Sequence, residues 1–229
     1  MYSFVWKNKD SYLDFGIVIN QRPPTVRAEK NVQEPEVPGR DGDLTVDDGT
    51  YKPITLPFIC TLLDTSNLDA VLFWLDGYSD LILSWQNDRY YKAKMINRID
   101  IVRSLEILGE FPLLFKAQPF GYALNNDLIT LLATPSTVTN TATKDSKPVI
   151  KVYGTGMIDL IVNGSTIHLT NVVGYVTIDS DLMDCYKDTL LKNNDMTGDF
   201  PELVVGENAV SWTGTVTSVE ITPNWRFLG

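Results

Sequence analysis

Apolar and polar positions alternate through much of the chain, the pattern of strands that bury one face and wet the other. The runs Gly174-Tyr175-Val176-Thr177-Ile178-Asp179 and Val216-Thr217-Ser218-Val219-Glu220-Ile221-Thr222 show it most clearly and are rich in β-branched residues. Between Met157-Ile158-Asp159-Leu160-Ile161-Val162 and Ser165-Thr166-Ile167-His168-Leu169 stands Asn163-Gly164. That dipeptide supplies the two positive-φ positions of a type I′ turn and predicts a β-hairpin. Many short runs, punctuated by Gly, Asn, Asp and Pro, predict a mainly β protein built as a sandwich or barrel.

One segment has a different period. In Asn67-Leu68-Asp69-Ala70-Val71-Leu72-Phe73-Trp74-Leu75-Asp76-Gly77, residues Leu68, Val71, Leu72 and Leu75 recur at helical spacing. Ser66 or Asn67 can cap the start, Asp69 suits the first turn and Gly77 can end the segment, so a single short helix is expected near 67–76. A helix this short needs a sheet to lie on. Phe73 and Trp74 widen its apolar surface and are expected to pack against the domain or a neighbouring subunit.

Two stretches interrupt the strands. Residues 22–53 hold Pro23-Pro24, Pro35, Pro38-Gly39-Arg40-Asp41-Gly42 and Asp47-Asp48-Gly49 with few apolar side chains, too long for an ordinary loop. This is either a disordered segment or a functional polar arm. The Thr-rich stretch from Ala133 to Thr143 reads as an interdomain linker or an exposed edge strand. A boundary near residue 134 divides the chain into an N-terminal β-domain, 1–134, carrying the helix and the arm, and a C-terminal β-domain, 135–229.

Composition narrows the function. The 229 residues are 44% hydrophobic and 21% charged, which is globular, and long enough for one large or two small cores. With 29 acidic against 19 basic side chains the formal charge is −10, contrary to what a general nucleic-acid binder needs. The single histidine excludes a His-rich zinc site and would leave a Ser–His–Asp triad dependent on His168 alone. The composition thus leans away from catalysis, and no catalytic, cofactor or metal residues are expected. Cys60 and Cys185 are too few for a disulfide scaffold, and Cys60 sits in an apolar run as a small hydrophobe. The start, Met1-Tyr2-Ser3-Phe4-Val5-Trp6-Lys7, lacks a signal-peptide pattern, and no apolar run approaches the ~20 residues that span a bilayer. Folding in a cytoplasm without membrane contact is expected, and the sequon Asn163-Gly164-Ser165 reads as a turn.

Other candidate sites have ordinary readings. Asp179, Asp181, Asp184 and Asp188 lack the turn Gly and distal Glu of a calcium loop, and read as a solvated acidic edge. Gly154-Thr155-Gly156 lacks the third glycine of a dinucleotide fingerprint. A pair of carboxylates for glycoside hydrolysis carries no information in so acidic a chain. Tyr153, Tyr175, Tyr186, Trp212 and Trp225 fit stacking on sugars, core packing or a protein interface equally well.

Taken in order, four stretches resemble the distal tail (Dit) proteins of siphophages. Phe15-Gly16-Ile17 precedes the arm. Val37-Pro38-Gly39-Arg40-Asp41-Gly42-Asp43-Leu44, with Asp48-Gly49-Thr50-Tyr51 after it, resembles the family's Pro-Gly-Arg-x-Gly signature and its trailing Tyr. The helix and following strands lead to Pro119-Phe120-Gly121-Tyr122. The last stretch begins at Pro148-Val149-Ile150-Lys151-Val152-Tyr153-Gly154, passes through the Asn163-Gly164 hairpin, Ile178-Asp179 and Tyr186, and closes with Gly198-Asp199-Phe200-Pro201-Glu202-Leu203 and Gly206-Glu207-Asn208.

The resemblance implies an N-terminal β-sandwich or barrel-like domain with one helix that forms a homohexameric ring, and a C-terminal galectin-like β-sandwich outside it. Such a ring is the baseplate hub of the virion tail tip, assembled in the host cytoplasm. It joins tail tube protein and tape measure protein to a tail-associated lysin and receptor-binding proteins for host attachment, and leaves a channel for DNA. The family's belt, carried over to Pro38, Gly39, Arg40, Asp41 and Gly42, makes these the oligomer-interface candidates. Galactoside recognition is not implied, because His168-Leu169-Thr170-Asn171-Val172 lacks the Pro and Arg of the galectin motif. The alternative is a carbohydrate-binding module for host wall glycans, with Trp212 and Trp225 as partner or glycan contacts. Six acidic copies would also present like-charged walls to passing DNA.

Overall fold

Strands dominate the computed structural model, which describes residues 1–33, 35, 38–39, 41–42, 44–96 and 110–229. The chain divides into a first unit of Met1–Leu124 with Leu228–Gly229, and a second of Asn125–Phe227.

The first unit contains β1 (Phe4–Trp6), β2 (Lys9–Asp10), β3 (Ile17–Ile19), β4 (Lys30–Gln33), β5 (Val46–Tyr51), β6 (Ile54–Leu62), α1 (Leu68–Leu75), β7 (Tyr78–Leu83), β8 (Gln86–Met95) and β9 (Phe111–Ala123). One antiparallel sheet runs β2-β1-β7-β8-β9-β6-β3. An isolated bridge between Tyr2 and Ile19 brings the β3 edge back against the chain start, so the sheet curls toward closure. Strict alternation in β6 buries Ile54, Leu56, Phe58, Cys60 and Leu62 on the inner face.

The helix spans Leu68–Leu75 and buries Val71, Trp74 and Leu75. Asn67 holds the N-cap position without a side-chain hydrogen bond, and Asp69 lies in the first turn. Reciprocal hydrogen bonds fix the helix to β1: Trp6 Nε1 donates to the Trp74 carbonyl (3.1 Å), and Trp74 Nε1 to the Trp6 carbonyl (2.8 Å). Phe4 and Phe15 stack on the Trp74 ring at centroid distances of 5.6 and 4.2 Å. Two indoles thus enter the core with their polar edges satisfied.

The second unit is built from β10 (Ile129–Leu131), β11 (Ser136–Asn140), β12 (Val149–Val162), β13 (Ser165–Asp179), β14 (Asp184–Lys187), β15 (Leu190–Leu191), β16 (Met196–Thr197) and β17 (Gly206–Thr222). Its sheet runs β10-β17-β12-β13-β14-β15, with β11 also on β17 and β16 on β13. Register shifts in β12 between Gly156 and Ile158 bend the long strands, so that one sheet wraps its own core. At this bend Gly214 has φ +92°, and a Cβ there would lie 2.4 Å from the Met157 carbonyl oxygen. Asn163 (φ 51°) and Gly164 (φ 84°) make the expected turn between β12 and β13.

The division falls earlier than the boundary expected near residue 134. Ile129–Leu131 already pairs with Ile221–Val219, so the chain joins the second sheet before the Thr-rich stretch begins. That stretch contains the edge strand β11.

Buried polar side chains organise the second unit. Asn208, fully buried, donates to the carbonyls of Val138, Val204 and Gly206, and accepts from Asn163 Nδ2 and the Val204 N–H. Removing this amide strands several buried carbonyls at once. Asn208→Ala is expected to lower unfolding stability by about 2–4 kcal/mol, measured by urea denaturation of the full chain.

Both cysteines are free and buried, one in each core. Burial disfavours the thiolate and pushes Cys60 from 9.0 up to about 12 and Cys185 up to about 11. A thiol whose folded value is raised stabilises the fold fully below its unfolded value, and that contribution is lost as pH climbs toward the folded one. Stability should therefore fall between pH 9 and about 12. Native thiols should react slowly with a thiol-specific chromogenic reagent at mildly alkaline pH, and both should titrate rapidly in denaturant.

Candidate functional site

The polar stretch between β3 and β6 forms an arm with a structured root and an open tip. Ala28 is buried in the first core and Val26 packs against it. Tyr51, the trailing Tyr of the Pro-Gly-Arg-like signature, meets the Phe120 ring edge-on at 5.3 Å. Between these anchors β4 and β5 form a two-stranded sheet and, among the described residues, pair only with each other. Lys30 forms an ion pair with Asp47, Asn31 Nδ2 donates to Thr50 Oγ1 (2.6 Å), and the Lys52 N–H donates to the Glu29 carbonyl (2.8 Å). The Lys30 ammonium and the Gly49 N–H hold the Asp47 carboxyl below its usual range, and the Thr50 hydroxyl does the same for Asp48.

These interactions define a hairpin but cover neither of its faces. Apart from Asn31 and Tyr51, every described side chain of β4 and β5 is exposed, including Val32 and Val46, and Leu44 beside them is exposed too. A two-stranded hairpin without a third layer is only marginally stable in water. Of the predicted interface residues, Pro38, Gly39, Asp41 and Gly42 lie exposed at the tip. A Cβ added at Gly39 or Gly42 would meet nothing within 4 Å. Arg40, with Val37 and Asp43 of the same signature, lies outside the described residues.

The helix contributes a second exposed feature. Trp74 faces the core, whereas Phe73 is 84% exposed and Leu72 stands beside it partly open. Of the two destinations expected for this aromatic pair, the domain interior takes Trp74 and leaves Phe73 on the surface.

The remaining candidates are dispersed. Trp212 is only 9% exposed and belongs to the second core, and Trp225 is half-buried against it. Tyr153 donates to Glu220 (3.0 Å) and lies 5.8 Å from Tyr175, with Lys151 over the Tyr175 ring at 4.1 Å. Tyr175 in turn donates to Asp188. His168 is a cross-strand partner of Asp159, with Nδ1 2.7 Å from its carboxylate on the exposed face of the β12–β13 hairpin. Asp179 accepts the N–H groups of Asp181 and Leu182, both at 3.0 Å, so it closes a local turn. Asp184 accepts from Asn193 Nδ2 at 3.0 Å. Among the described residues, no three His, Cys, Asp or Glu side chains gather to hold a metal ion. No described helix is long and apolar enough to cross a membrane.

Sequence reasoning missed a row of lysines on the first sheet, Lys92 and Lys94 on β8 and Lys116 on β9. Their alternation with Tyr91, Ala93, Phe115 and Ala117 was a signal that could have revealed them.

No protein-family model and no curated protein sequence matches the chain. Among solved structures, the fold is similar to the crystal structure of the SPP1 Dit (gp 19.1) protein, described as a paradigm of the hub adsorption apparatus in phages that infect Gram-positive bacteria. The likeness covers 100% of both chains with a TM-score of 0.74 at 14% sequence identity. The two chains therefore share a mainly β, Dit-like fold along their entire length.

Proposed function

We propose that this chain is the distal tail protein of a siphophage, a structural rather than catalytic component that forms the hub of the tail tip. The full-length likeness to SPP1 Dit carries this reading, because it accounts for the first unit, the arm and the second unit together. In this role the first units close into a homohexameric ring and the second unit is a galectin-like sandwich. The ring joins tail tube and tape measure to the lysin and receptor-binding proteins, and DNA passes through its channel.

The arm supports the ring on independent physical grounds. A cyclic assembly needs two different patches on each subunit, one that reaches and one that receives. The β4–β5 hairpin exposes both faces, and Pro38, Gly39, Asp41 and Gly42 lie exposed at its end, with a Cβ added at Gly39 or Gly42 meeting nothing within 4 Å. An arm of this kind offsets its ordering entropy by folding onto a neighbour. Arg40 completes the signature and is assigned to the same interface. The outward Phe73 suits the other side of the contact, since aromatic side chains are enriched in protein interfaces.

The glycan-binding alternative has less support, because Trp212 is consumed by the core and Trp225 is half-buried against it. Stacking on a sugar ring needs an open aromatic face.

Size-exclusion chromatography with light scattering tests the arm's role. The full chain is expected to elute as a closed oligomer, and a variant with residues 30–51 replaced by a short Gly/Ser linker as a folded monomer. A linker variant that still assembles would remove the arm from the interface, and a strictly monomeric full chain in the micromolar range would count against the hub reading.

A further inference from the structure

The outer face of the curled sheet in the first unit carries a basic trough. Tyr78 on β7, Lys94 on β8, Lys116 on β9 and Thr55 on β6 are consecutive cross-strand partners. The next position of β8 on the same face is Lys92, opposite Asp80. Together with Pro53 and Gln118 these residues line a concavity of about 600 Å³.

Three features mark this trough as unfinished. Lys94 and Lys116 are directly opposed, an arrangement in which like charges repel and destabilise the sheet. Among the described residues none of Lys92, Lys94 and Lys116 makes an ion pair, and Asp80 stays outside ion-pair distance of all three. Among the described residues, their close charge-type contacts are aromatic: Lys92 sits over the Tyr122 ring at 4.4 Å and Lys94 over Tyr78 at 5.5 Å, and Tyr78 is itself 76% exposed. In a chain of net charge −10, three uncompensated ammonium groups around one hollow call for carboxylates from elsewhere.

The chain carries such a group of carboxylates on its arm. Between residues 34 and 48 the sequence holds Glu34, Glu36, Asp41, Asp43 and Asp48 against Arg40, besides Asp47, which Lys30 already pairs. No described ion pair links the arm to the trough of its own subunit. The trough begins at Pro53, directly after the arm's root, so an arm arriving from a neighbour would end where the recipient's own arm departs.

We infer that the Lys92–Lys94–Lys116 trough receives the acidic arm tip of a second copy of this chain. The inference rests on the ring reading and specifies its heterologous contact: carboxylates of the reaching subunit neutralise the opposed lysines, while Val32, Leu44 and Val46 cover apolar stems around them. Such a contact fixes register and direction more than it adds raw affinity, because opposite patches attract only in the head-to-tail sense. It also makes closure sensitive to salt, since exposed charges are screened within a Debye length.

Sedimentation velocity over a protein concentration series tests this, with thermal melts by circular dichroism confirming that each variant folds. Reversing the trough with Lys92→Glu, Lys94→Glu and Lys116→Glu should raise the assembly midpoint about 100-fold, and the Gln triple variant should raise it by less. Reversing the arm with Glu36→Lys, Asp41→Lys and Asp43→Lys should weaken assembly similarly, and combining both reversals in one chain should restore it. An assembling wild type whose midpoint is unmoved by the trough reversal overturns this inference and leaves the ring reading intact. So does a combined variant that stays dissociated. A wild type that never assembles refutes the ring reading itself. Binding of duplex DNA at physiological salt, lost in the trough variant while assembly is unchanged, would reassign the trough to nucleic acid.

Discussion

The first unit depends on the reciprocal clasp between Trp6 and Trp74. Each indole N–H finds the other residue's carbonyl, so the helix can lie against β1 without leaving a buried donor unmet. Phe4, Phe15, Phe58 and Phe115 pack around that clasp and fill the interior of the curled sheet. A helix of eight residues would be unstable alone; here tertiary packing holds it. With the inner face of the sheet committed in this way, the features left to meet other molecules are the outward ones. These are Phe73 on the helix, the two-faced arm and the lysine row.

The second unit solves the same problem without a helix. Its three long strands bend at glycines and bulges, and one sheet encloses its own core. Asn208 ties the start of β17 to the loop before it and to β11, which explains why Gly206-Glu207-Asn208 stands out as a motif although it carries no chemistry. Trp212 is part of the same economy of space. Its size serves packing, and its burial removes it as a stacking surface.

Local features were the most legible in the sequence. The Asn163-Gly164 turn and the helix near 67–76 were readable because each is dictated by neighbours in the chain: positive φ in one case, a 3.6-residue period in the other. What depends on distant pairing was harder to read. The period that predicts the helix cannot say that Trp74 turns inward and Phe73 outward, because that choice is made by Trp6, far away in sequence. The unit boundary falls before the Thr-rich stretch because Ile129–Leu131 pairs with the far end of β17, a partner no local pattern reveals. For the arm, sequence left disorder and a functional excursion both open. The pairing of β4 with β5 gives the arm a structured root, and the side chains of both strands are mostly exposed. The lysine trough illustrates the same limit. Lys94 and Lys116 become neighbours only once β8 and β9 are in register.

Fold likeness at 14% identity says what shape the chain takes, and the arm supplies the physical argument for what that shape does. Both support the proposal that identical subunits close head to tail around a channel. Negative-stain electron microscopy of the purified full chain tests this most directly. The account predicts closed rings of uniform subunit number with a central opening, and a field of single compact particles, or of open filaments without closure, would contradict it.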